Sequence, residues 1–202
     1  DVLISQLVRE NQLQNSTAAV KIVAAKGKRD QPPQDNLLFV TAKPYVHRLV
    51  QKNAHALTLK TYPEPRFTPL ADHKSLNYLY YYTAGNWAKE QGVDEAIISN
   101  PDGSISETNT GNILLLSGNK VTVPESEHVL PGIMLEQAIK LLRNRGFDIQ
   151  HQTIYPNGLY AAEQVILTNS LMGAVPVSEI DGNALPIDPE FCQDLNNVLL
   201  GL

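Results

Sequence analysis

The chain has 202 residues, of which 43% are hydrophobic and 18% charged, a composition typical of a globular protein with a buried core. Its net charge of -5, with no run of Lys or Arg, argues against binding to nucleic acid or to a membrane surface. No apolar run approaches the roughly 20 residues of a membrane span. No signal peptide is visible. The single cysteine, Cys192, cannot form an internal disulfide, which fits the reducing cytoplasm.

The first third of the chain is predicted to be rich in strands. Val2, Leu3, Leu7 and Val8 recur at helical spacing, so the chain begins in a helix. Three strands are predicted after it, in the segments AAVKIVAAKG, NLLFVTA and HALTLKTY. Residues 63–72, PEPRFTPLAD, are polar and rich in proline, which is typical of a linker.

The remaining residues alternate between predicted helices and strands. Helical faces are predicted for Leu76 to Trp87 and for Leu135 to Leu142, the second ending near Gly146. A last helix is predicted to begin at Asp188, as its cap, with Pro189 in the first turn. The predicted strands are DEAIISN, a hairpin NILLLSGNKVTV that turns at Gly118-Asn119, QVILTNS and AVPVSEIDG.

Together these elements predict an α+β fold in two domains. Residues 1–62 form the C-terminal part of a smaller α/β domain, residues 63–72 an interdomain linker, and residues 73–202 a larger mixed α/β domain.

Four short segments follow one another in an informative order. They are HKSLNYL around Lys74, SETNTGNILL around Glu107, LPGIM at residues 130–134, and LTNSLMGAVPV around Ser170. This ordered set resembles the cofactor site of the fold-type IV pyridoxal-phosphate enzymes, the class IV aminotransferase family, from about Val20 to Gly182. The resemblance implies the D-amino-acid aminotransferase-like fold and pyridoxal 5'-phosphate as cofactor, bound by the larger domain of residues 73–202. It also implies that the smaller domain is incomplete here, since relatives carry a preceding segment with an arginine that binds the phosphate.

Lys74 is the candidate covalent anchor. The sequence places it at the N-terminus of the helix predicted after it, where a cation opposes the helix dipole. A lysine held there and shielded from water would have a pKa below its ordinary value of about 10.4. A Schiff-base lysine needs this, because only the neutral amine attacks an aldehyde. The resemblance implies that Lys74 holds the cofactor and acts as a base.

Glu107 is the candidate partner of the pyridine nitrogen. The segment SETNTGNILL resembles the family pattern, with small residues after the glutamate and Asn112 five positions on. A carboxylate there keeps the ring nitrogen protonated, so the ring can accept electrons. The resemblance makes Glu107 and Asn112 part of the cofactor site.

The segment LPGIM is the candidate phosphate site. A Pro-Gly pair before an apolar helix is in itself an ordinary helix start, but the free N–H groups of a first turn also suit a phosphate. The resemblance implies that Gly132, Ile133 and Met134 surround the phosphate, with backbone N–H groups of Ile133 and Met134 as donors. It implies that Leu130 packs on the pyridine ring.

The segment LTNSLMG distinguishes among relatives. Ser170 falls where family members place a hydroxyl that binds the phosphate, beside Asn169. Asn169 and Leu171 differ from the small residues of typical aminotransferases and resemble the 4-amino-4-deoxychorismate lyases. We therefore expect a lyase of folate biosynthesis that releases pyruvate and 4-aminobenzoate.

Other candidate residues have weaker support. Arg29 lies where some relatives bind the substrate carboxylate, Arg66 is a second candidate for that role, and a surface arginine is the ordinary interpretation of both. The histidines have no metal-ligand spacing, so no metal site is predicted. The alternatives to a lyase are a branched-chain or D-amino-acid aminotransferase and a family member that is inactive or carries no cofactor. The resemblance also implies a homodimer that acts on a small amine or amino-acid substrate.

Overall fold

The computed structural model describes residues 2–26 and 36–201. The chain divides into two compact units, Asp1–Lys52 and Asn53–Leu202, and each is described by itself. Across the described residues, no helix combines the length and the apolar character needed to cross a membrane.

The first unit contains two helices and one hairpin. Helix α1 (Val2–Glu10) precedes strands β1 (Ala18–Lys26) and β2 (Asn36–Pro44), and α2 (Arg48–Lys52) follows. The strands pair antiparallel, from Ala18 opposite Pro44 to Lys26 opposite Asn36. The predicted helix and both predicted strands are confirmed here, whereas the five-residue α2 was not predicted.

The second unit is built on one mixed sheet of nine strands, ordered β5-β4-β3-β10-β9-β6-β7-β8, with β11 paired to β10. Strand β3 runs parallel to both β4 and β10, while β9 lies antiparallel between β10 and β6. This arrangement confirms the predicted α+β class. The strands are β3 (Leu57–Thr61), β4 (Glu95–Ser99), β5 (Ile105–Thr108), β6 (Asn112–Ser117), β7 (Lys120–Pro124), β8 (Asp148–Gln152), β9 (Gln164–Asn169), β10 (Gly173–Ile180) and β11 (Asn183–Ala184).

Four helices accompany this sheet: α3 (Leu79–Glu90), α4 (Ile133–Asn144), α5 (Pro156–Tyr160) and α6 (Pro189–Leu199). Asp188 caps α6 as predicted, because its Oδ1 accepts the N–H of Phe191 at 2.9 Å and Pro189 stands in the first turn. The β6–β7 hairpin turns at Gly118, whose φ of 56° lies in the left-handed region that glycine adopts at the lowest cost.

The helices cover the sheet with apolar side chains. One cluster joins β6, β7 and β9 to α4 and α6 and includes the sole cysteine, Cys192, which is 2% exposed. Burial raises the pKa of this thiol to about 12. A smaller cluster packs Ala84 and Ala88 of α3 on β4, with Tyr62, Tyr80, Tyr81 and Trp87 at its edge.

The domain boundary differs from the prediction. Strand β3 hydrogen-bonds with β4 and β10 inside the large sheet, so the division falls after Lys52 and not at residues 63–72. Residues 63–72 are fixed to the second unit, since the N–H of Arg66 bonds to the carbonyl of Ser99 at 2.9 Å and Tyr80 donates its hydroxyl to the carbonyl of Glu64. A proline-rich composition predicts an irregular backbone, but it does not predict whether that backbone is mobile.

Candidate active site

Glu107 lies at the centre of the candidate site. It belongs to β5, opposite Ile98 of β4, and is 3% exposed. Its Oε2 accepts the backbone N–H of Leu130 at 3.2 Å. Its Oε1 accepts two side-chain donors, Nη1 of Arg66 at 3.4 Å and the hydroxyl of Tyr81. A buried acid is thus linked to three separate segments of the second unit.

The pKa of Glu107 is raised to about 8, because burial disfavours the carboxylate. The N–H of Leu130 and the charges of Arg66 and Lys74 act in the opposite direction and lower that pKa. Burial in turn lowers the pKa of Arg66, while the nearby Glu107 raises it. A buried carboxyl group that titrates near neutral pH next to a specific cation is typical of functional sites.

Arg66 and Tyr81 are the site residues that sequence reasoning missed in these roles. Arg66 is 8% exposed, and its guanidinium carbon lies 4.1 Å from the centre of the Tyr81 ring. It is therefore bonded to Glu107 and stacked on an aromatic ring, and is not an exposed arginine available to a substrate carboxylate. The only signal in the sequence was the run of tyrosines at residues 80–82, which does not say which ring faces the site.

Lys74 is exposed and lies outside any helix, five residues before α3 begins at Leu79. The prediction that Lys74 stands at the N-terminus of a helix is therefore wrong for this structure. The helical periodicity began at Leu76, but residues 73–78 form an irregular segment, in which the hydroxyl of Ser75 accepts the N–H of Asn77 at 3.2 Å. Lys74 does lie within electrostatic range of Glu107.

Leu130 connects Glu107 to the start of α4. Its N–H bonds to Glu107, and its carbonyl oxygen accepts Nδ2 of Asn112 at 2.8 Å. Asn112, the first residue of β6, is 5% exposed. Leu130 itself is half-buried, and Asn112 acts within the protein as a support for the 130–132 segment.

Helix α4 begins at Ile133 after Gly132, as the sequence predicts. Gly132 is the N-cap residue of α4, with an extended backbone, and it has no side chain that could cap the first-turn N–H groups. The N–H groups of the first turn, including those of Ile133 and Met134, have no carbonyl of a preceding turn to bond, so they can bind an anion. The side chain of Ile133 is 72% exposed.

The turn between β9 and β10 carries the predicted residues Asn169 and Ser170. Oδ1 of Asn169 accepts the N–H groups of Leu171 at 3.0 Å and Met172 at 2.9 Å. Ser170 is exposed at this turn, and Leu171 is 54% exposed. Asn169 therefore shapes the turn on which Ser170 and Leu171 are displayed.

The loop after Glu107 is held by a second buried acid, Glu95, which is fully buried on β4. Its carboxylate accepts the hydroxyl of Thr108 at 2.9 Å and that of Thr110 at 2.5 Å. Nδ2 of Asn169 lies 3.4 Å from Oγ1 of Thr110, which connects this loop to the β9–β10 turn. The loop and the turn are thus neighbours.

Within residues 53–201 the structure brings Glu107, Leu130, Asn112 and Gly132 into one hydrogen-bonded and packed group, with Lys74 in electrostatic range. Arg29 lies outside the described residues. Among the residues that the structure describes, no group of three His, Cys, Asp or Glu side chains is arranged to hold a metal ion.

Comparison with known proteins gives the family. The sequence model of "Amino-transferase class IV" matches residues 2–180. A protein of Methanocaldococcus jannaschii, named "Putative branched-chain-amino-acid aminotransferase", is 29% identical over 191 residues. The match covers 92% of this chain and 65% of that protein, so the chain spans slightly less than two-thirds of this relative.

Two solved structures share the fold. The crystal structure of a "Putative 4-amino-4-deoxychorismate lyase" from Legionella pneumophila has a TM-score of 0.85 at 23% identity, over 99% of this chain and 75% of that one. A "hypothetical aminotransferase from Mycobacterium tuberculosis, PLP-bound form" has a TM-score of 0.84 at 17% identity, over 99% and 73%. At these identities the likeness establishes the fold.

Proposed function

The chain belongs to the class IV aminotransferase family, whose members are pyridoxal-phosphate enzymes, and from that premise we propose that it is a 4-amino-4-deoxychorismate lyase. The reaction splits aminodeoxychorismate into pyruvate and 4-aminobenzoate. The observation that carries the proposal is the β9–β10 turn, where Asn169 fixes the backbone and Leu171 is 54% exposed.

The fixed backbone of this turn and the exposed side chain of Leu171 support the lyase proposal. Because Asn169 holds the N–H groups of both Leu171 and Met172, the turn has a fixed shape and does not depend on small, adaptable residues. Leu171 then presents apolar surface next to Ser170, the proposed phosphate ligand. Pocket shape decides which bond of a bound substrate breaks, so a larger side chain here changes the outcome. The fold itself is shared by the putative lyase of Legionella pneumophila and by aminotransferases, so the lyase proposal depends on this turn.

The residues present fit pyridoxal phosphate. Lys74 would hold the aldehyde carbon covalently, and Glu107 would face the ring nitrogen, with one acceptor site of Oε2 left beside the Leu130 N–H. The first turn of α4, with Ile133 and Met134, would bind the phosphate, since no side chain at Gly132 obstructs it. Asn112 would keep that turn in place, and Ser170 and Asn169 would border the phosphate from the β9–β10 turn.

When bound, the cofactor supplies an electron sink next to the substrate carbon that carries the amine. Once the substrate amine has replaced Lys74 on the aldehyde carbon, the freed Nζ of Lys74 would take the proton from the substrate carbon as a general base. The bond to the enolpyruvyl oxygen then breaks as the substrate ring becomes aromatic. Lys74 would return the proton to the methylene carbon of the departing pyruvate and would then displace the amine of 4-aminobenzoate from the aldehyde carbon, which restores the starting state without a co-reactant.

Glu107 would keep the ring nitrogen of the bound cofactor protonated. Its pKa near 8 in the absence of the cofactor reflects the cost of a buried carboxylate. A protonated ring nitrogen at Oε2 would provide the positive charge that offsets this cost. Arg66, on the other oxygen, would keep Glu107 ionised while the ring nitrogen keeps its proton.

An aminotransferase is the second candidate, because a relative with an aminotransferase name matches 92% of this chain. The site would then use Lys74 to move a proton between two substrate carbons, with a 2-oxo acid as acceptor. Lys74, Glu107 and the α4 turn would keep their roles, and the two reactions would differ at the substrate pocket.

We also propose a two-fold homodimer. Leu76, Tyr78, Leu79 and Tyr82 are each at least half exposed within one short stretch before and in α3, an apolar surface that suits an isologous interface. Leu79→Glu should shift the protein to monomers by light scattering, and a strictly monomeric, fully active wild type would contradict the proposal. The single free thiol, Cys192, fits a cytoplasmic enzyme.

Parallel assays of the whole protein loaded with pyridoxal phosphate test the function. One assay provides aminodeoxychorismate and measures 4-aminobenzoate and pyruvate. The other two provide a branched-chain amino acid or D-alanine with 2-oxoglutarate and measure glutamate. We expect equal amounts of 4-aminobenzoate and pyruvate, with little glutamate, and no product from Lys74→Ala. Robust glutamate formation without 4-aminobenzoate would overturn the lyase and support the aminotransferase.

A further inference from the structure

The two oxygens of Glu107 have different surroundings. Oε1 accepts Nη1 of Arg66 and the hydroxyl of Tyr81. Oε2 has a single partner within the described residues, the N–H of Leu130. A carboxylate oxygen has two lone-pair acceptor sites. Oε1 is therefore fully used by the protein, whereas Oε2 has one site left.

Tyr81 serves this carboxylate in two ways. Its hydroxyl donates to Oε1 directly. Its ring lies under the guanidinium of Arg66, whose carbon is 4.1 Å from the ring centre, so it also fixes the second donor of the same oxygen. The neighbouring Tyr80 ring lies farther from Arg66, at 6.0 Å, and donates its hydroxyl to the carbonyl of Glu64. One residue of α3 thus controls both side-chain donors of Glu107.

We propose that Tyr81 is a positioning residue that, together with Arg66, binds Oε1 of Glu107 so that Oε2 is the oxygen presented to the ring nitrogen of the cofactor. This rests on the proposed role of Glu107, and it holds for a lyase and for an aminotransferase alike. Donors on a carboxylate favour its charged form. Tyr81 therefore also opposes the effect of burial on Glu107.

The groups that face Glu107 come from four segments, and each has to be considered in a titration. Arg66 comes from residues 63–72, Lys74 from the segment before α3, Tyr81 from α3 and the Leu130 N–H from the loop before α4. Two variants separate the contributions of Tyr81. Tyr81→Phe keeps the ring beneath Arg66 and removes the hydroxyl, and Tyr81→Leu removes both. Tyr155→Phe is the matched control, because Tyr155 is 51% exposed and lies outside α3 and the proposed dimer surface.

The first measurement uses cofactor-free protein with ¹³C-labelled glutamate carboxyl groups, and Glu107→Gln assigns the signal. We expect the titration midpoint of Glu107 to rise by roughly half a pH unit to one unit in Tyr81→Phe, and further in Tyr81→Leu. Tyr155→Phe should leave the midpoint unchanged. An unchanged midpoint in both Tyr81 variants would overturn the proposal.

The second measurement compares the binding of pyridoxal phosphate with that of its carbocyclic analogue, in which CH replaces the ring nitrogen. We expect Tyr81→Phe to weaken binding of pyridoxal phosphate about three- to ten-fold more than binding of the analogue, since only the former bonds to Oε2. Equal weakening of both would mean that Tyr81 is merely structural. Equal binding of both by the wild type would overturn the assignment of Oε2. Neither result depends on which reaction the enzyme catalyses, so failure of the lyase proposal is seen separately, in the product assay.

Discussion

A side chain on Gly132 would collide with Asn112, because a Cβ atom at position 132 would lie 2.0 Å from Oδ1 of Asn112. The same amide donates Nδ2 to the carbonyl of Leu130 at 2.8 Å. The start of α4 is therefore held against β6 at a distance that only glycine permits, which fixes where the first-turn N–H groups lie.

Gly132→Ala should lower the free energy of unfolding by about 1–3 kcal/mol, as expected for overpacking of a tight contact. It should also weaken cofactor binding, because Asn112 has to move and release Leu130. Chemical denaturation and a cofactor titration measure the two effects. In an Asn112→Ala background the added methyl group has room, so the cost of Gly132→Ala should fall sharply. An equal cost in both backgrounds would show that the two residues are not coupled.

Lys74→Ala should abolish activity and covalent attachment of the cofactor, while the free energy of unfolding changes by less than about 0.5 kcal/mol, because the side chain is exposed. Borohydride reduction of the loaded wild type followed by peptide mapping should label Lys74. Lys89→Ala, at an exposed position of α3, is the control and should keep both activity and label. A label on any other lysine would show that Lys74 is not the anchor.

Glu107→Gln should keep cofactor binding and lose most turnover, since an amide cannot hold the charge of a protonated ring nitrogen. Steady-state kinetics with the cofactor in excess measure the loss as a fall in kcat. Wild-type turnover in this variant would remove Glu107 from the mechanism.

Glu107→Gln should also reduce the change in the free energy of unfolding with pH in the cofactor-free protein. The pKa of Glu107 is about 8 in the folded state and 4.5 as the reference value, so its contribution to stability is present below about pH 4.5 and is lost as the pH rises through about 8. Denaturation between about pH 5 and pH 9 should show the wild type losing more stability than Glu107→Gln. Parallel curves for the two proteins would contradict the raised pKa.

Leu171→Ala should change the reaction without unfolding the protein. The side chain is 54% exposed, so we expect the free energy of unfolding to change by less than about 0.5 kcal/mol. If Leu171 contacts the substrate ring, kcat/KM for aminodeoxychorismate should fall several-fold, while cofactor binding stays the same. Val198→Ala, an equally exposed apolar position on α6, should change neither quantity. An unaltered kcat/KM would remove the support that this turn gives to the lyase.

Local signals in the sequence were sufficient for most elements of the fold. The Asp188 cap, the turn at Gly118 and the start of α4 after Gly132 each depend on residues within a few positions, and the structure confirms them. The short β8 was missed because its alternation of apolar and polar residues is weak.

Features that depend on distant parts of the chain could not be predicted in this way. Arg66 and Tyr81 meet Glu107 across 41 and 26 positions, and neither local pattern nor propensity reports such a contact. The division after Lys52 has the same origin, because it depends on the pairing of β3 with β10. The apolar periodicity that starts at Leu76 predicts a helix that begins beside Lys74, although the backbone becomes helical only at Leu79.

The position of Cys192 provides a reporter of opening motions. As the only thiol of the chain, it lies on the buried side of α6 with 2% exposure, and its pKa of about 12 keeps it almost entirely protonated at neutral pH. Because the thiol is buried and the thiolate is the reactive form, an aromatic disulfide reagent can react only after α6 separates from the sheet. The rate of the colour change, measured with no label introduced, therefore gives the opening free energy of this helix. The same measurement with the cofactor bound shows whether binding at the Asn169 end of β9 changes the opening free energy of α6.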